Sequence, residues 1–320
     1  MNSNTKDASE FAESGFSILV VLAKFACGSG LIITLATALR PIATYWWVAD
    51  LFCQFAVQYV VLLIPIIALV AAVRMWKYLA LFVVVLSINA FLIWPYVAGS
   101  HSFRKSDQVR VLTQNVLTSN RQFQLMVDLI EHEDPDVVIL LEIDQGWMDE
   151  LKSIHTTYPH RKHMVHSGNF GIAIFSKEPW NECRIELGSS SRIPSIVADY
   201  DRFQLIGVHP VPPVSAAAAA SRNQQLMEVA KLRDANKLSI LAGDFNLTPW
   251  SPWFQKILDT GYSDPGRWHG LEPTWYCFPT WLGGVKIDHA LISDLNRVIE
   301  IRIGPDVQSD HRATILDFNR

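Results

Sequence analysis

Cysteine is scarce in this sequence and scattered. Cys27, Cys53, Cys183 and Cys277 are the only four among 320 residues, with no CxxC pair and no Cys/His spacing. Their distribution excludes a disulfide-stapled scaffold and gives no zinc signature, so all four read as structural, with a Cys183–Cys277 bridge as the alternative. Clustered Lys or Arg is missing as well, and no basic run interleaves with aromatics. A strongly basic nucleic-acid-binding face is therefore not expected. Internal repeats are absent too.

Charge is nearly missing from the first hundred residues, which hold only Lys6, Asp7, Glu10, Glu13, Lys24, Arg40, Asp50, Arg74 and Lys77. The remaining 22 basic and 27 acidic residues all lie in 101–320. A change of composition this sharp divides the chain near residue 100. A bilayer core of about 30 Å takes roughly 20 apolar residues as helix. Residues 18–39, 51–73 and 78–98 each meet that length and are predicted to be three transmembrane helices in an anchor spanning 1–100. Tyr45, Trp46, Trp47, Trp94 and Tyr96 fall near their ends, where amphipathic rings favour the interface. A cleavable signal peptide is a poor alternative for the first run, which is long and has no good Ala-x-Ala-like cleavage site. Arg74 and Lys77 sit between the second and third runs, and positive charge favours the cytoplasmic side. That arrangement puts an integral plasma or inner membrane protein's residues 101–320 on the extracytoplasmic side, although Arg40 lies on the outer side and opposes it.

Residues 101–107 are polar and read as a linker, which leaves 108–320 as one domain. Within it the runs VRVLTQN, DVVILLEID, GIAIFSK, SIVADY, FQLIGVHP, LSILAGDFN, IDHALIS and ATILDF read as strands. Helical patterns cover 121–131 and the Ala-rich stretch 215–236. Eight strands with interleaved helices predict an α/β (α+β) sandwich of two packed sheets flanked by helices.

The polar residues that end these runs carry the chemistry. Asn115 closes the first run, Glu142 the second and His209 the fifth. Asp244 and Asn246 close the sixth, Asp288 opens the seventh, and Asp310 with His311 precede the last. Side chains at i and i+2 leave a strand on one side, so Asp244 and Asn246 are presented together. A magnesium ion takes oxygen ligands and needs only one or two carboxylates; Glu142, with Asn115 or Asp310 beside it, can supply them. His209, His311 and Asn246 offer donors to a phosphoryl group, Asp244 suits a general base, and Asp288 can hold His311 in one tautomer. Singly these are ordinary residues: a turn aspartate, a capping asparagine, a packing histidine. Trp275 reads as mainly packing, and of the other histidines only His163 and His166 lie in a loop that could border the site.

The set TQN, LLEID, GVHP, GDFN, KIDHALIS and SDH, in this order over 108–318, resembles the endonuclease/exonuclease/phosphatase family of metal-dependent phosphoesterases. That family includes pancreatic-type deoxyribonucleases, apurinic-site endonucleases, neutral sphingomyelinases and inositol polyphosphate 5-phosphatases. The resemblance implies a four-layered sandwich with the site at one end of both sheets, and a magnesium cofactor, with manganese as the alternative. It implies Glu142 as the metal-binding glutamate, with Asn115 and Asp310 beside the metal. Asp244 and Asn246 match the pair that activates water and contacts phosphate, and Asp288 with His311 the acid–histidine pair. His209 stands where the deoxyribonuclease and sphingomyelinase branches have histidine and the apurinic-site branch usually has tyrosine. That last branch reads Asn-x-Asp after its first strand, whereas Asn115 is followed by Val116 and Leu117, which favours a single metal.

The function expected is a membrane-anchored phosphoesterase, nuclease-like, cleaving a phosphodiester or phosphomonoester by in-line attack of water. Lipid or inositol phosphates are the alternative substrates, and the bilayer is the expected partner; no protein partner is predicted. A non-catalytic membrane scaffold is the reading from another class. It would tolerate loss of Glu142, Asp244, Asn246, Asp288 or His311, and all five are present.

Overall fold

The computed structural model describes residues 3–97, 108–166, 168–267, 269–277 and 283–320, with side chains from residue 18 onward. The expected linker 101–107 and the last residue of the third expected span lie outside the described residues. The chain divides into two units, Met1–Trp94 and Pro95–Arg320.

In the first unit the helices join through apolar side chains. Helices α1 (Ser3–Ala38), α2 (Trp47–Cys53), α3 (Ala56–Ala72) and α4 (Trp76–Ile93) pack through Cys27, Ile33, Leu63, Ile66, Val70, Phe82 and Val85. Asn89 Nδ2 donates to Thr37 Oγ1 at 2.9 Å, which ties α4 to α1. Their outer faces stay apolar: Phe25 is 75% exposed and Phe91 80%. Residues Ile18–Ile42 and Trp76–Tyr96 are each long and apolar enough to cross a membrane. The middle expected span differs from a single helix. It is broken between α2 and α3, which meet at a 64° bend and together form a third candidate crossing. Gln54 marks the break: its side-chain amide donates to the Asp50 carbonyl at 2.9 Å, satisfying that carbonyl from the side chain.

The second unit contains strands β1 (Gln108–Asn115), β2 (Val137–Leu141), β3 (His160–Met164), β4 (Ile172–Ser176), β5 (Glu182–Leu187), β6 (Pro194–Asp199), β7 (Phe203–Val208) and β8 (Leu238–Asp244). It continues with β9 (Trp275–Tyr276), β10 (Gly284–Val285), β11 (Asp288–Ile292), β12 (Val298–Ile303) and β13 (Thr314–Asn319). One sheet has the order β12-β13-β1-β2-β4-β3 and the other β11-β8-β7-β6-β5; β9 and β10 form a separate ribbon. Successive strand residues point to opposite faces, and both faces are buried. Val109, Val111, Ile139, Leu141, Ile172 and Ile174 pack against Ile196, Ala198, Leu205, Ile240, Ala242 and Ala290 in the space between the sheets.

The alternate residues face outward onto helices. Leu112, Val138, Leu140, Ala173 and Phe175 meet α5 (Phe123–Glu133) and α6 (Gln145–Glu150). Val197, Ile206, Val208, Leu241 and Leu291 meet α7 (Ala216–Ala230) and α8 (Pro252–Leu258). The result is a four-layered α/β/β/α sandwich, as expected. Ser215 caps α7, its hydroxyl accepting from the Ala218 amide at 3.1 Å. Strands β3, β5 and β12, absent from the sequence reading, are sheet edges, and all four cysteines are free.

Candidate active site

Sheet register brings the polar strand ends together. In the parallel β1–β2 pair Asn115 stands opposite Leu141, which puts Glu142 one residue beyond. In the antiparallel β8–β11 pair Asp244 stands opposite Asp288. Val208, just before His209, stands opposite Gly243. Gly243 has φ +146°, and a Cβ there would lie 1.9 Å from the Val208 carbonyl oxygen, so no other residue fits this approach to the site. Left-handed φ values recur at Leu117 (61°), Glu142 (60°) and Asn246 (49°), each just past a strand end. Such strain in non-glycine residues persists where surrounding bonds hold it, and it gathers at functional sites.

Asn115 is the hub. Its Nδ2 donates to Glu142 Oε1 at 3.0 Å and to Asp244 Oδ2 at 3.2 Å, and lies 3.4 Å from His311 Nε2. The second Glu142 oxygen accepts from the Thr118 amide at 3.3 Å. Asp244 Oδ1 accepts from the Asn246 amide at 2.8 Å, and Asn246 Nδ2 donates to the Pro210 carbonyl at 3.2 Å, beside His209. His209 Nε2 stands 3.5 Å from Asp244 Oδ2 and 3.9 Å from Glu142 Oε1. His311 Nδ1 donates to Asp288 Oδ2 at 2.8 Å, and its Nε2 points to Asp244 Oδ2 at 3.7 Å. Seven of the eight expected residues thus form one cluster, six of them buried and Asn246 half-buried.

Asp310 is turned otherwise. Its Oδ2 accepts from the Trp275 indole at 3.0 Å, while Oδ1 is buried with no hydrogen-bond partner among the described residues. Trp275 therefore does more than pack: it orients the carboxylate next to His311. Thr274 also has a task. Its hydroxyl oxygen accepts from the Ile287 and Asp288 amides at 3.0 and 2.9 Å and so fixes the start of β11. Ser309 links two ends, donating to the Asn115 carbonyl at 2.8 Å and accepting from the His311 amide at 3.1 Å. Apart from the Ser309–His311 bond, two residues apart, these contacts join residues distant in the chain and have no sequence signal. The loop with His166 does border the site: the Phe170 ring lies 6.2 Å from His166 and 5.7 Å from His209.

Burial sets opposite charge states for the two histidines. Burial, against the pull of Glu142, draws His209 down to about 4, so it is neutral at pH 7. Burial also pulls on His311, but the Asp288 and Asp244 carboxylates override it and push its pKa up to about 10. Burial pushes Asp244 up to about 7; His311 opposes this and Asp288 adds to it. Asp244, Asp288 and His311 offer ligand atoms within 4.8 Å of one another, a spacing that could hold a metal ion. Glu142 extends the oxygen-rich side of this group through Asn115. Three buried carboxylates whose contacts are amides and imidazoles are a donor set suited to a hard divalent cation.

The chain matches the Endonuclease/Exonuclease/phosphatase family over residues 112–311. No curated protein matches it. Among solved structures it is similar to a 3′ phosphatase from Neisseria bound to a product DNA hairpin. The two share 20% identity and a TM-score of 0.59, with 66% of this chain and 100% of that one covered. An AP endonuclease from Archaeoglobus fulgidus is similar at 16% identity and a TM-score of 0.57, covering 66% of this chain and 100% of its own. An endonuclease/exonuclease/phosphatase from Beutenbergia cavernae gives 20% identity and a TM-score of 0.55, covering 67% and 72%. At these identities the likeness is one of fold.

Proposed function

Because the chain belongs to the endonuclease/exonuclease/phosphatase family, whose members are hydrolases of phosphoester bonds, we propose that it is a membrane-anchored, divalent-metal-dependent phosphoesterase. The observation that carries this reading is the Asn115-centred cluster, which joins Glu142, Asp244 and His311 within hydrogen-bonding reach of one amide. Glu142 and Asn115 would hold magnesium, with manganese as the alternative. When bound, the ion polarises a phosphoryl oxygen and offsets charge on the leaving oxygen.

The chain's own groups do the rest. Asp244, fixed by the Asn246 and Asn115 amides, accepts the proton of the attacking water. His311, charged and anchored on Asp288, presents its second N–H toward the phosphoryl oxygens. Neutral His209 and the Asn246 side chain complete the donor set. Attack runs in line with the leaving oxygen, as expected from a base on one side of phosphorus and donors around it. Asp310, held by Trp275, contributes its free oxygen at the edge of this set.

The Ile18–Ile42 and Trp76–Tyr96 helices and the bent α2–α3 pair serve as the anchor in this reading. Arg74, between α3 and α4, and Lys77, in the first turn of α4, support a cytoplasmic turn, and in this reading 108–320, as a catalytic domain, lies outside the cytoplasm. The Neisseria 3′ phosphatase of similar fold is bound to a product DNA hairpin, which supports a nucleic-acid phosphoester as substrate. The 27 acidic against 22 basic residues of 101–320 and the membrane helices favour a second reading, a phosphorylated lipid or small molecule. Turnover by the detergent-purified full chain, with magnesium or chelator, on plasmid DNA, phospholipid vesicles and bis-p-nitrophenyl phosphate decides between them. Magnesium-dependent cleavage of any of the three supports the phosphoesterase, and the best substrate names its class. Absence of turnover on all three contradicts it.

A further inference from the structure

The turn after β8 carries Asn246 in a left-handed backbone at φ 49°, which the Asn246 N–H to Asp244 Oδ1 bond supports from within. Two buried side chains from elsewhere hold it from outside. Arg222, on α7, is fully buried, and its Nη1 donates to the Asn246 carbonyl at 2.8 Å. Its Nε and Nη2 donate to Asn223 Oδ1 at 2.9 and 2.7 Å, which fixes the plane of the guanidinium. His289, on β11, is 2% exposed, and its Nε2–H donates to the next carbonyl, that of Leu247, at 2.8 Å. The His289 ring is set between Phe245 and Phe254, with centroids 5.1 and 4.7 Å away.

A guanidinium taken out of water is costly unless its donors are used, and an apolar side chain would fill a helix-to-sheet contact at less cost. Arg222 lies on α7, whose Leu226 and Val229 make such a contact with Leu241, Phe245 and Leu247. What it gains there is the carbonyl of a residue whose amide binds Asp244 Oδ1 and whose side chain binds the Pro210 carbonyl. His289, adjacent to Asp288 and opposite Gly243, grips the same turn from the other strand. We propose that Arg222 and His289 are positioning residues: they clamp consecutive carbonyls of the Asn246–Leu247 segment and so set the direction of Asp244 and Asn246. The kinetic half of this inference rests on the phosphoesterase reading. The structural half does not.

Full-length wild type and the variants Arg222→Met, Arg222→Lys, His289→Leu and His289→Gln, purified in detergent, test it. Hydrogen–deuterium exchange reads amides 244–248, including Asn246 N–H to Asp244 and Phe245 N–H to the Ile287 carbonyl. In parallel, kcat and KM are measured on bis-p-nitrophenyl phosphate with magnesium. Arg222→Met and His289→Leu are expected to speed exchange at 244–248 while the β1–β2 core keeps its protection. Misplacement of reacting groups lowers kcat by about 10²-fold with KM little changed. Arg222→Lys is expected to fall between, since one ammonium cannot reproduce the fork. His289→Gln, whose amide can reach Leu247, should restore both readouts. Unchanged exchange at 244–248 in Arg222→Met and His289→Leu would overturn the proposal. So would a uniform rise across both sheets, or His289→Gln as impaired as His289→Leu. If wild type itself turns nothing over, the phosphoesterase reading fails while the exchange measurement still decides the clamp.

Discussion

Asp244 and Asp288 stand opposite each other across the antiparallel β8–β11 pair, and His311 is set between their carboxylates, 2.8 Å from Asp288 and 3.7 Å from Asp244. Two buried acids so placed need a cation, and the imidazolium of His311 meets part of that need.

Asp288→Asn is therefore expected to lower the His311 pKa from about 10, since the leading opposing carboxylate is gone. NMR titration of the imidazole reads this directly. The raised pKa also has a stability consequence. Stability from the His311 imidazolium is fully present below pH 6.5 and is lost as pH rises through about 10. Raised Asp244 acts in the same sense, its contribution present below about 4 and lost as pH passes 7. Metal-free wild type should lose on the order of a few kcal/mol between pH 6.5 and 10, and Asp288→Asn less.

Magnesium should oppose that loss. A ligand that binds only the folded state adds about 2.7 kcal/mol at one hundred times its Kd, so thermal melts are expected to shift upward with magnesium. Glu142→Gln should shrink the shift. Lowering the pH should shrink it too, because protons and metal compete for Asp244 and its neighbours. Melts of wild type and Glu142→Gln at pH 6 and pH 8, with and without magnesium, check both.

Thr274→Val keeps the volume of the side chain and deletes the acceptor of the Ile287 and Asp288 amides. Each amide left unpaired costs about 1–3 kcal/mol. The melting temperature should fall and kcat should drop with it, because Asp288 loses its anchor. A stability loss with kcat intact would place Thr274 outside the support of the acid–histidine pair.

Much of this site was legible from the sequence because it lies at strand ends, and strands buried on both faces read as unbroken apolar runs that stop where water or chemistry begins. VVILL followed by Glu142, and ILAGD with Asn246 two residues beyond Asp244, show this directly. The edge strands were not legible: HRKHM and ECRIEL carry charge that keeps an edge from pairing with other chains, and charge hides a strand. The break at Gln54 was also hidden, since one amide in an apolar run gives no boundary without the Asp50 carbonyl it reaches. Arg222, His289, Thr274 and Ser309 act through bonds to distant backbone, and no local pattern encodes such a bond. Asp310 was assigned beside the metal from the SDH motif, yet the Trp275 indole that takes one of its oxygens lies 35 positions away in sequence.

Gly243→Ala is expected to be the most damaging single change outside the reacting groups. Its Cβ would meet the Val208 carbonyl oxygen at 1.9 Å in a backbone conformation that L-residues avoid. A loss of about 4 kcal/mol or more follows from such an overlap, and a melt of the variant should show it. A normal melt would mean that β7 and β8 separate at this point without cost.

The proposed mechanism turns on Asp244 as the base of a magnesium-dependent phosphoester hydrolysis. Asp244→Asn preserves shape and removes the charge, so the decisive measurement is kcat for bis-p-nitrophenyl phosphate in the full-length variant, with its melt recorded alongside. Wild type is expected to turn over with magnesium, and the folded variant to lose about 10² to 10⁴-fold. Wild-type rates in a folded Asp244→Asn protein would rule out Asp244 as the base.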